Sequence, residues 1–371
     1  MTCRAARRSR WRAEAMAEPT ATEPMMTQAK IRAGIIGLGV GERHISGYER
    51  HPDCRVTRLA DFDPDKRRDV QGRHPDRRIE VSADAVLDDP DIHIVSIASY
   101  DQDHYDQVMR ALDRGKHVFV EKPLVLQPGH ARAVRQRLRE NPSLKISSNL
   151  ILRRCPRFLR LRDDIRSGDY GRLFHIDADY QYGRIHKLLS GWRGTLPGYS
   201  LVMGGAVHMV DLVLWLTGDR AVEVQAMGNR IATADSATAD SGTANSGFGN
   251  FDLVQALVRF ESGLVAKIGC NGGCVHPHFH KLEVYGTGAS FVNGLESAFV
   301  YRDRDPGRRP EEMREAYPGV DKGDLLQDFV DAVLHDRAPE VSADDVFRSL
   351  AVCFAIERAA HDGGTVAVEE F

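Results

Sequence analysis

The sequence has few cysteines, no long apolar run and little net charge. The 371 residues include only six scattered cysteines, which argues against the disulfide framework of small secreted domains. No apolar run approaches the roughly 20 residues that a transmembrane helix needs. The net charge of −3 favours neither nucleic acid nor an anionic membrane surface. These absences predict a cytoplasmic protein with reduced thiols that binds no nucleic acid and no membrane.

What is present indicates a globular protein of two domains. The apolar content is 42% and the charged content 28%, and a chain of this length exceeds one ordinary core. Residues 1–30 carry six Lys/Arg and three Glu and are predicted to be a disordered tail or to precede the true start, with Met16, Met25 or Met26 as alternatives. Residues 232–247 hold the near-repeat ATADSATADSGTANS, which lacks large apolar side chains and predicts a disordered loop.

Between residues 31 and 150, short apolar runs alternate with amphipathic stretches. The runs AGIIGLGV, CRVTRLADF, IHIVSIAS, KHVFVEKPL and KISSNLIL predict strands. Strands of this kind separated by helices predict an α/β fold with a doubly wound parallel sheet. Right-handed crossovers then place every carboxyl end of a strand at one edge, where ligands bind in such sheets.

The first predicted strand ends in a glycine-rich turn, GLGVGE. Gly37 allows a tight turn, Gly39 lets the backbone approach a pyrophosphate, and Gly41 lies one residue before the third glycine of the dinucleotide fingerprint. Asp61 closes the second strand, where an acid binds ribose hydroxyls and repels a 2′-phosphate. The turn therefore predicts NAD, against the alternative of a glycine turn without a ligand. NADP also stays open because three basic residues follow: Lys66, Arg67 and Arg68.

After residue 150 the apolar residues alternate along longer segments. FHIDADYQYGR, AVEVQAMGNR, FDLVQALVRF, GLVAKIGC and HKLEVYGTGASFVNGL predict a large, mostly antiparallel sheet. Between the first two segments, GGAVHMVDLVLWLTGD predicts a helix that ends at Gly218 and carries His208 and Asp211 on one face. The closing stretch, residues 324–364, predicts two packed helices. The domains are therefore expected to be 31–150 and 151–371.

The strand HVFV is followed by Glu121, Lys122 and Pro123. Proline cannot donate a ladder hydrogen bond and so ends the strand. The two charged residues are then expected at the edge of the sheet where the ligand lies.

These segments together resemble the Gfo/Idh/MocA family of NAD(P)-dependent oxidoreductases. The resemblance runs from about Ile31 to the end. It rests on GLGVGERH, ADFDPDK, ALDRGKHVFVEKPL, the Trp192-Arg193 pair, GGAVHMVDLVLWLTGD, LEVYGTGAS and the closing helices. It implies a Rossmann domain followed by an α/β domain, and hydride transfer between a sugar- or cyclitol-like alcohol and a nicotinamide cofactor. NAD-dependent glycosidases that oxidise transiently and then eliminate, and non-catalytic NAD-binding sensors, are the alternatives within the family.

The resemblance also implies roles for particular residues. Lys122 is expected to donate to the substrate oxygen and His208 to take the hydroxyl proton. The predicted cofactor-binding residues are Gly37, Leu38, Gly39, Val40, Gly41, Asp61, Ser99, His104, Glu121 and Lys122. One departure stands out: the family pattern has an aspartate four residues before the histidine, and this chain has Gly204. Asp211 is on the right face but is expected to be structural.

Candidates for substrate contacts lie between residues 180 and 193. Aromatic faces and bidentate donors suit a polyol, although ordinary strand-surface roles fit as well. The candidates are Tyr182, His186, Trp192 and Arg193.

A cysteine- and histidine-rich segment, CNGGCVHPHFH, could suggest zinc. It lacks a second cysteine pair, and its histidines alternate as along a strand, so we predict no metal. The predicted sheet should have one open face with apolar residues, through which the family forms dimers or tetramers. A homodimer or homotetramer is therefore expected.

Overall fold

The computed structural model describes residues 30–190, 192–196, 198–236 and 250–371. The tail that the sequence predicts, except for its last residue, and the segment 237–249 lie outside the described residues. In chain order the first elements are β1 (Ile31–Ile36), α1 (Glu42–Glu49), β2 (Cys54–Ala60), α2 (Pro64–Arg73), β3 (Ile79–Glu80), α3 (Asp84–Leu87), β4 (Ile94–Ile97), α4 (His104–Asp113), β5 (His117–Val120), α5 (Pro128–Glu140) and β6 (Ile146–Ser148). They are followed by α6 (Pro156–Arg166), β7 (Leu173–Gln181), α7 (His186–Leu189), α8 (Trp192–Thr195), α9 (Val207–Thr217), β8 (Ala221–Asn229), α10 (Ile231–Ser236), β9 (Leu253–Phe260), β10 (Val265–Asn271), β11 (Phe279–Gly286), β12 (Ser290–Val292), β13 (Ala298–Tyr301), β14 (Glu311–Met313), α11 (Leu326–Leu334), α12 (Ala343–Asp362) and β15 (Thr365–Ala367).

The first sheet is the predicted doubly wound parallel sheet. Its order is β3-β2-β1-β4-β5-β6, and every neighbouring pair is parallel. Apolar strands such as β4 are buried along their whole length, because helices cover both faces. The residues that follow β1, β2, β4 and β5 therefore meet at one edge of the sheet.

The second sheet is mixed but mostly antiparallel, as predicted. Its order is β14-β13-β12-β11-β7-β10-β9-β8-β15, and only β7 and β10 pair in parallel among the described strands. Alternate residues of β7, including Ile176 and Ala178, are buried on the face that α9 and α12 cover. The helix α9 is buried from Val207 to Leu216. It ends at Gly218, whose φ of +65° is the left-handed conformation expected of a glycine stop.

The open face of this sheet differs from the apolar surface that we expected. Its centre is a charged network in which Lys267 lies 2.7 Å from Asp177 and 2.8 Å from Asp179. Exposed apolar side chains, including Leu257 and Met227, flank this network. The alternation of β7, HIDAD, places its acids outward, and the facing strands carry the lysines that pair with them.

Short elements account for most differences from the predicted strands. The two-residue β3, the short strand β13 and the edge strands β14 and β15 were not predicted from the sequence. The predicted loop at 232–247 was wrong at its start, where α10 extends to Ser236. Thr233 is buried there because its backbone N–H and its hydroxyl both donate to Asp252 Oδ2, at 2.7 and 2.9 Å. Within the described residues, no helix combines the length and apolar character required to cross a lipid bilayer.

The last part of the chain packs against both sheets. The ring of Phe329 in α11 contacts Phe119 in β5 at a centroid distance of 5.7 Å. Gly323 approaches Gly47 of α1 so closely that a Cβ added at Gly47 would lie 2.7 Å from the Cα of Gly323. The closing helices therefore bridge the two halves of the molecule.

Candidate active site

The turn after β1 forms a cradle with room for a phosphate. Gly37 has a φ of +83°, and a Cβ there would lie 2.3 Å from the carbonyl oxygen of Ala98, so glycine is required. A Cβ at Gly41 would lie 2.2 Å from the carbonyl oxygen of Gly37. By contrast, a Cβ at Gly39 would meet nothing within 4 Å. The space beside Gly39 at the start of α1 is the place where a dinucleotide pyrophosphate fits.

Asp61 is held against this turn. Its Oδ2 accepts a hydrogen bond of 2.6 Å from the backbone N–H of Leu38, and its Oδ1 accepts one of 2.9 Å from Asp63. Arg67 donates to the carbonyl oxygens of Asp61 and Phe62, at 2.8 Å each. An acid and a guanidinium thus lie together at the end of β2, where the adenosine ribose of a dinucleotide is bound in this fold. Val40 in the turn is partly exposed.

The fold also brings Ser99, His104 and Glu121 to this edge, but their side-chain polar groups are hydrogen-bonded within the protein. Ser99 donates its hydroxyl to Gln107. His104 is buried, with Nδ1 2.7 Å from the carbonyl oxygen of Pro123 and Nε2 3.3 Å from that of Ser99. Glu121 accepts a 2.7 Å hydrogen bond from Asn149. Burial opposes ionisation of Glu121, yet its pKa is held well below its usual range by His44, Lys322 and Lys122.

Lys122 reaches from the parallel sheet to the second half of the chain. Its Nζ donates a 2.7 Å hydrogen bond to the carbonyl oxygen of Gly204. Gly204 belongs to a π-helical turn, Val202–Ala206, directly before α9. Burial lowers the pKa of Lys122 to about 8, and the negative charges of Asp101 and Glu121 oppose that shift. An amine with this pKa changes its protonation state close to neutral pH.

His208, on the first turn of α9, lies on the other side of the cleft from the sheet that carries Lys122. Its side chain is buried, and its Nδ1 has no hydrogen-bond partner among the described residues. Burial lowers its pKa well below the ordinary value, and the nearby Lys122 charge acts in the same direction. The imidazole is therefore neutral, and its Nδ1 is a buried polar atom without a partner, which is rare in folded proteins.

Aromatic and imidazole rings surround His208. The Tyr180 ring stacks on His208 at a centroid distance of 6.3 Å and contacts His280 at 5.6 Å. His278 follows at 5.0 Å from both Tyr180 and His280. Burial lowers the pKa of His278 to about 4 and that of His280 to about 3. Three neutral imidazoles and a tyrosine thus form one wall of the cleft.

Comparisons with known proteins agree with this geometry. Residues 31–147 match the model of the oxidoreductase family with an NAD-binding Rossmann fold, and residues 158–292 match the GFO/IDH/MocA C-terminal domain. The chain belongs to the Gfo/Idh/MocA family of oxidoreductases.

Relatives of this Gfo/Idh/MocA protein extend over nearly its whole length. It is 23% identical to the myo-inositol 2-dehydrogenase of Thermotoga maritima, over 92% of this chain and 99% of the relative. The crystal structure of myo-inositol 2-dehydrogenase from Lactobacillus plantarum has a TM-score of 0.76 and 20% identity, covering 91% of this chain and 99% of that one. Levoglucosan dehydrogenase in complex with NADH and levoglucosan has a TM-score of 0.75 and 20% identity, covering 92% and 100%.

The departure at Gly204 has a steric cause in this Gfo/Idh/MocA protein. A Cβ at Gly204 would lie 2.1 Å from the hydroxyl oxygen of Tyr199, so the phenol fills the space that a side chain would need. Arg193 donates from Nε to that hydroxyl at 3.0 Å. Burial raises the pKa of Tyr199, and Arg193 opposes the shift. An aspartate at position 204 is therefore incompatible with Tyr199 in its present place.

The predicted substrate residues divide into two groups. Arg193 lies over the rings of Trp192 and Tyr199, at 4.4 and 5.7 Å. Tyr182 is buried and lies 6.0 Å from Tyr180. His186 is exposed on α7, and no ring contact or hydrogen bond joins its imidazole to the other cleft residues in the described chain. The structure therefore brings three of the four candidates together and leaves His186 out.

A buried acid that the sequence analysis did not single out completes the cleft. Asp101 lies in a 3₁₀ turn after β4 and is 7% exposed. Burial raises the pKa of Asp101, while Lys122, His104 and Arg193 act against that rise. Its position after a parallel strand was the one signal that could have identified it.

Asp211 lies one turn beyond His208 and faces the protein core. It is bound by Arg153, with Nη2–Oδ1 at 2.5 Å and Nε–Oδ2 at 2.9 Å. Ser349 of α12 lies 3.4 Å from the same carboxylate. The arrangement fits the expected structural role.

The cysteine- and histidine-rich segment does not assemble as a cluster in the described part of the chain. No group of three or more His, Cys, Asp or Glu side chains there is arranged to hold a metal ion. The strand β11 begins only at Phe279, so His276 and His278 precede it rather than alternating along it. His278 and His280 join the cleft wall, whereas the thiol of Cys274 donates a hydrogen bond to the carbonyl oxygen of Asn271.

Proposed function

We propose that the cleft between Lys122 and His208 transfers a hydride between a secondary alcohol of a sugar or cyclitol and a nicotinamide cofactor. The observation that carries the proposal is the meeting of two complementary groups. A lysine at the carboxyl edge of the parallel sheet reaches Gly204, and four residues further along a buried histidine has an unpartnered ring nitrogen.

The protonation states suit oxidation of an alcohol. His208 is neutral because burial depresses its pKa, so its free nitrogen can take the hydroxyl proton. Lys122, with a pKa of about 8, is mostly an ammonium at neutral pH and stabilises the developing charge on the substrate oxygen. A bound nicotinamide supplies the carbon that accepts the hydride. In the reverse direction protonated His208 returns the proton to the substrate oxygen, and Lys122 again stabilises the charge on that oxygen.

Trp192, Arg193 and Tyr182 would hold the substrate. The Nε of Arg193 donates its hydrogen bond to the Tyr199 hydroxyl. The other N–H groups of the guanidinium form a planar fork that suits two neighbouring hydroxyls of a substrate. The tyrosine and tryptophan faces suit the apolar face of a sugar ring. Relatives and structural neighbours are named for inositol, 1,5-anhydro-D-fructose and levoglucosan. These names support a substrate that is a polyol of the size of one sugar ring.

We further propose NAD as the preferred cofactor. Asp61 at the end of β2 favours a free ribose hydroxyl pair over a 2′-phosphate. Arg67 beside it keeps NADP as the alternative, and one structural neighbour is described as NADPH-dependent. The cofactor would be held by the Gly37–Gly41 cradle and by the edge formed from Ser99, His104 and Glu121.

A cytoplasmic homodimer or homotetramer without nucleic-acid or membrane partners is the assembly that we propose. The exposed apolar residues beside the charged network on the open sheet face support association through that face.

The test is a set of variants assayed with NAD and a panel of inositols and sugars. Lys122→Met removes the donor and His208→Asn removes the base, so each should lower kcat by roughly 100-fold or more. Their combined effect should be much smaller than the product of the two. Lys145→Met is the matched control and should leave kcat unchanged. Lys145 is also largely buried, but it precedes β6, at the edge of the sheet opposite the cleft, where it pairs with Asp336.

The same assay separates the alternatives. Release of a leaving group without net NADH would indicate a glycosidase. Binding of NAD without any turnover across the panel would indicate a sensor and would contradict the proposal.

A further inference from the structure

The cleft lacks the acid that its helix turn would carry in the family pattern. The reason lies in the packing: the Tyr199 phenol occupies the space next to the Gly204 Cα, and a Cβ there would lie 2.1 Å from its oxygen. Tyr199 is in turn fixed by Arg193 at 3.0 Å. Any carboxylate that acts on Lys122 must therefore come from another element.

Asp101 is placed to do so from the dinucleotide-binding half. It follows β4, which pairs with the β5 strand that leads to Lys122. Its neighbour Tyr100 stacks on Trp192 at 5.1 Å, and Trp192 contacts Tyr199 at 5.7 Å. The turn that holds Asp101 is thus joined by aromatic contacts to the residues that surround Gly204.

The Asp101 carboxylate is buried without a close ionic partner. It is 7% exposed, and no ion pair within 4.0 Å involves it in the described part of the chain. The charges that act on it are Lys122, His104, Arg193 and Glu121. Those that act on Lys122 are Asp101, Glu121, Arg193 and Lys322. Glu121 is already bound by Asn149, so Asp101 is the acid that remains for Lys122.

We propose that Asp101 is a positioning residue that supplies, from the dinucleotide-binding domain, the carboxylate that holds Lys122 as an ammonium in place of an acid at position 204. The inference rests on the proposed function of Lys122. Asp101 keeps the amine charged and oriented in a buried site, where desolvation would otherwise favour the neutral amine. While the ammonium stabilises charge on the substrate oxygen, the carboxylate opposes loss of a proton from the amine.

The first test measures Lys122 directly and needs no turnover. Trace acetylation with acetic anhydride across pH 6 to 10, read by mass spectrometry of the Lys122 peptide, reports the pH at which the amine becomes reactive. Asp101→Asn preserves the shape and removes the charge, so that midpoint should move to lower pH by about one unit. Asp103→Asn, two residues away and outside the charges that act on Lys122, should leave it unchanged.

The second test uses the pH profile of turnover. If Lys122 acts as an ammonium, activity falls as pH rises through its pKa. The Asp101→Asn variant should therefore lose activity at lower pH than the native protein, and a shift of about one unit reduces kcat roughly fivefold at pH 8. Adding Gly204→Asp and Tyr199→Ala to the Asp101→Asn variant places a carboxylate on the helix turn. The pH at which activity falls on the alkaline side should then move back toward that of the native protein.

The outcomes distinguish this inference from the proposed function. An unchanged acetylation midpoint in a folded Asp101→Asn variant that still binds NADH overturns the role of Asp101, whatever the activity. A shifted midpoint in a protein that turns over no polyol supports the inference and contradicts the proposed function. If Asp101→Asn does not fold, Asp101→Ser provides the same comparison.

Discussion

The ion pair between Arg153 and Asp211 allows a quantitative prediction. Their side chains are 3% and 1% exposed, and the two groups are joined by contacts of 2.5 and 2.9 Å. Asp211→Asn keeps the shape of the side chain and removes its charge, which leaves the guanidinium buried with a weaker partner. Breaking a buried pair in this way costs about 3–5 kcal/mol.

The expected cost is at the lower end of that range, about 3 kcal/mol, because a second acid remains. Asp345 lies 3.2 Å from the same guanidinium, and Glu340 accepts a further hydrogen bond of 3.1 Å through its carbonyl oxygen. With a denaturant slope of about 3 kcal/mol per molar, the urea midpoint should fall by about 1 M. Intrinsic fluorescence reports the midpoint, and an unchanged slope shows that the comparison is valid for a two-domain chain.

A matched control separates burial from charge. Asp344→Asn removes an acid that is 78% exposed and pairs with Arg135 at 3.0 Å, so it should cost less than about 1 kcal/mol. Equal midpoints for Asp211→Asn and Asp344→Asn would refute the reasoning. At a temperature where Asp211→Asn is folded, kcat should be close to native, which agrees with a structural role; a 100-fold loss would place Asp211 in the chemistry instead.

Three further predictions concern the cofactor, the histidine wall and the open sheet face. Asp61→Ala should reduce the preference for NAD over NADP in a fluorescence titration, and a native preference for NADP would contradict the assignment. Burial lowers the pKa of His280 to about 3, so the unfolded chain binds a proton at this histidine below about pH 6.5 while the folded protein does not, and the free energy of unfolding falls as pH decreases from there. His280→Gln should therefore flatten the decline in the urea midpoint between pH 6.5 and 4. An equally steep decline in the variant would argue against burial of the His280 imidazole. Leu257→Arg should dissociate the oligomer in sedimentation, whereas the fully exposed Val275→Arg should not; a native monomer at micromolar concentration would exclude association through this face.

Regular alternation made most of the fold predictable. The apolar runs at β1, β2, β4 and β5 and the amphipathic stretches between them predicted the parallel sheet. Period-two alternation in β7 to β11 predicted the second sheet. Strands as short as β3 or β15 contain too few residues for a period to be seen, and pairing with a neighbour is what makes them strands.

The cleft was only partly predictable, for a physical reason. Lys122 and Gly37 follow strands in patterns that a parallel sheet explains, so their common edge could be inferred. Tyr199 owes its place to packing between segments that are far apart in the chain, and no local pattern marks it. The position of Asp101 after β4 marks the edge of the sheet, but only packing shows that this acid is buried near Lys122. His186 has the same local appearance as its neighbours, yet its short helix leaves it in solvent.

The return of the closing helices to the first sheet has a consequence for protein engineering. Three contacts join the chain after residue 320 to the first module. Phe329 packs against Phe119, Gly323 against Gly47, and the carboxylate of Asp331 lies 3.1 Å from Nε2 of His51. A chimera that exchanges residues 31–150 alone between relatives would sever these contacts and expose a side of the nucleotide-binding module. The unit that can be transplanted to alter cofactor use is therefore discontinuous. It comprises the first module together with residues 321–334, whereas α12 and β15, which pack on β8 or pair with it, stay with the second sheet.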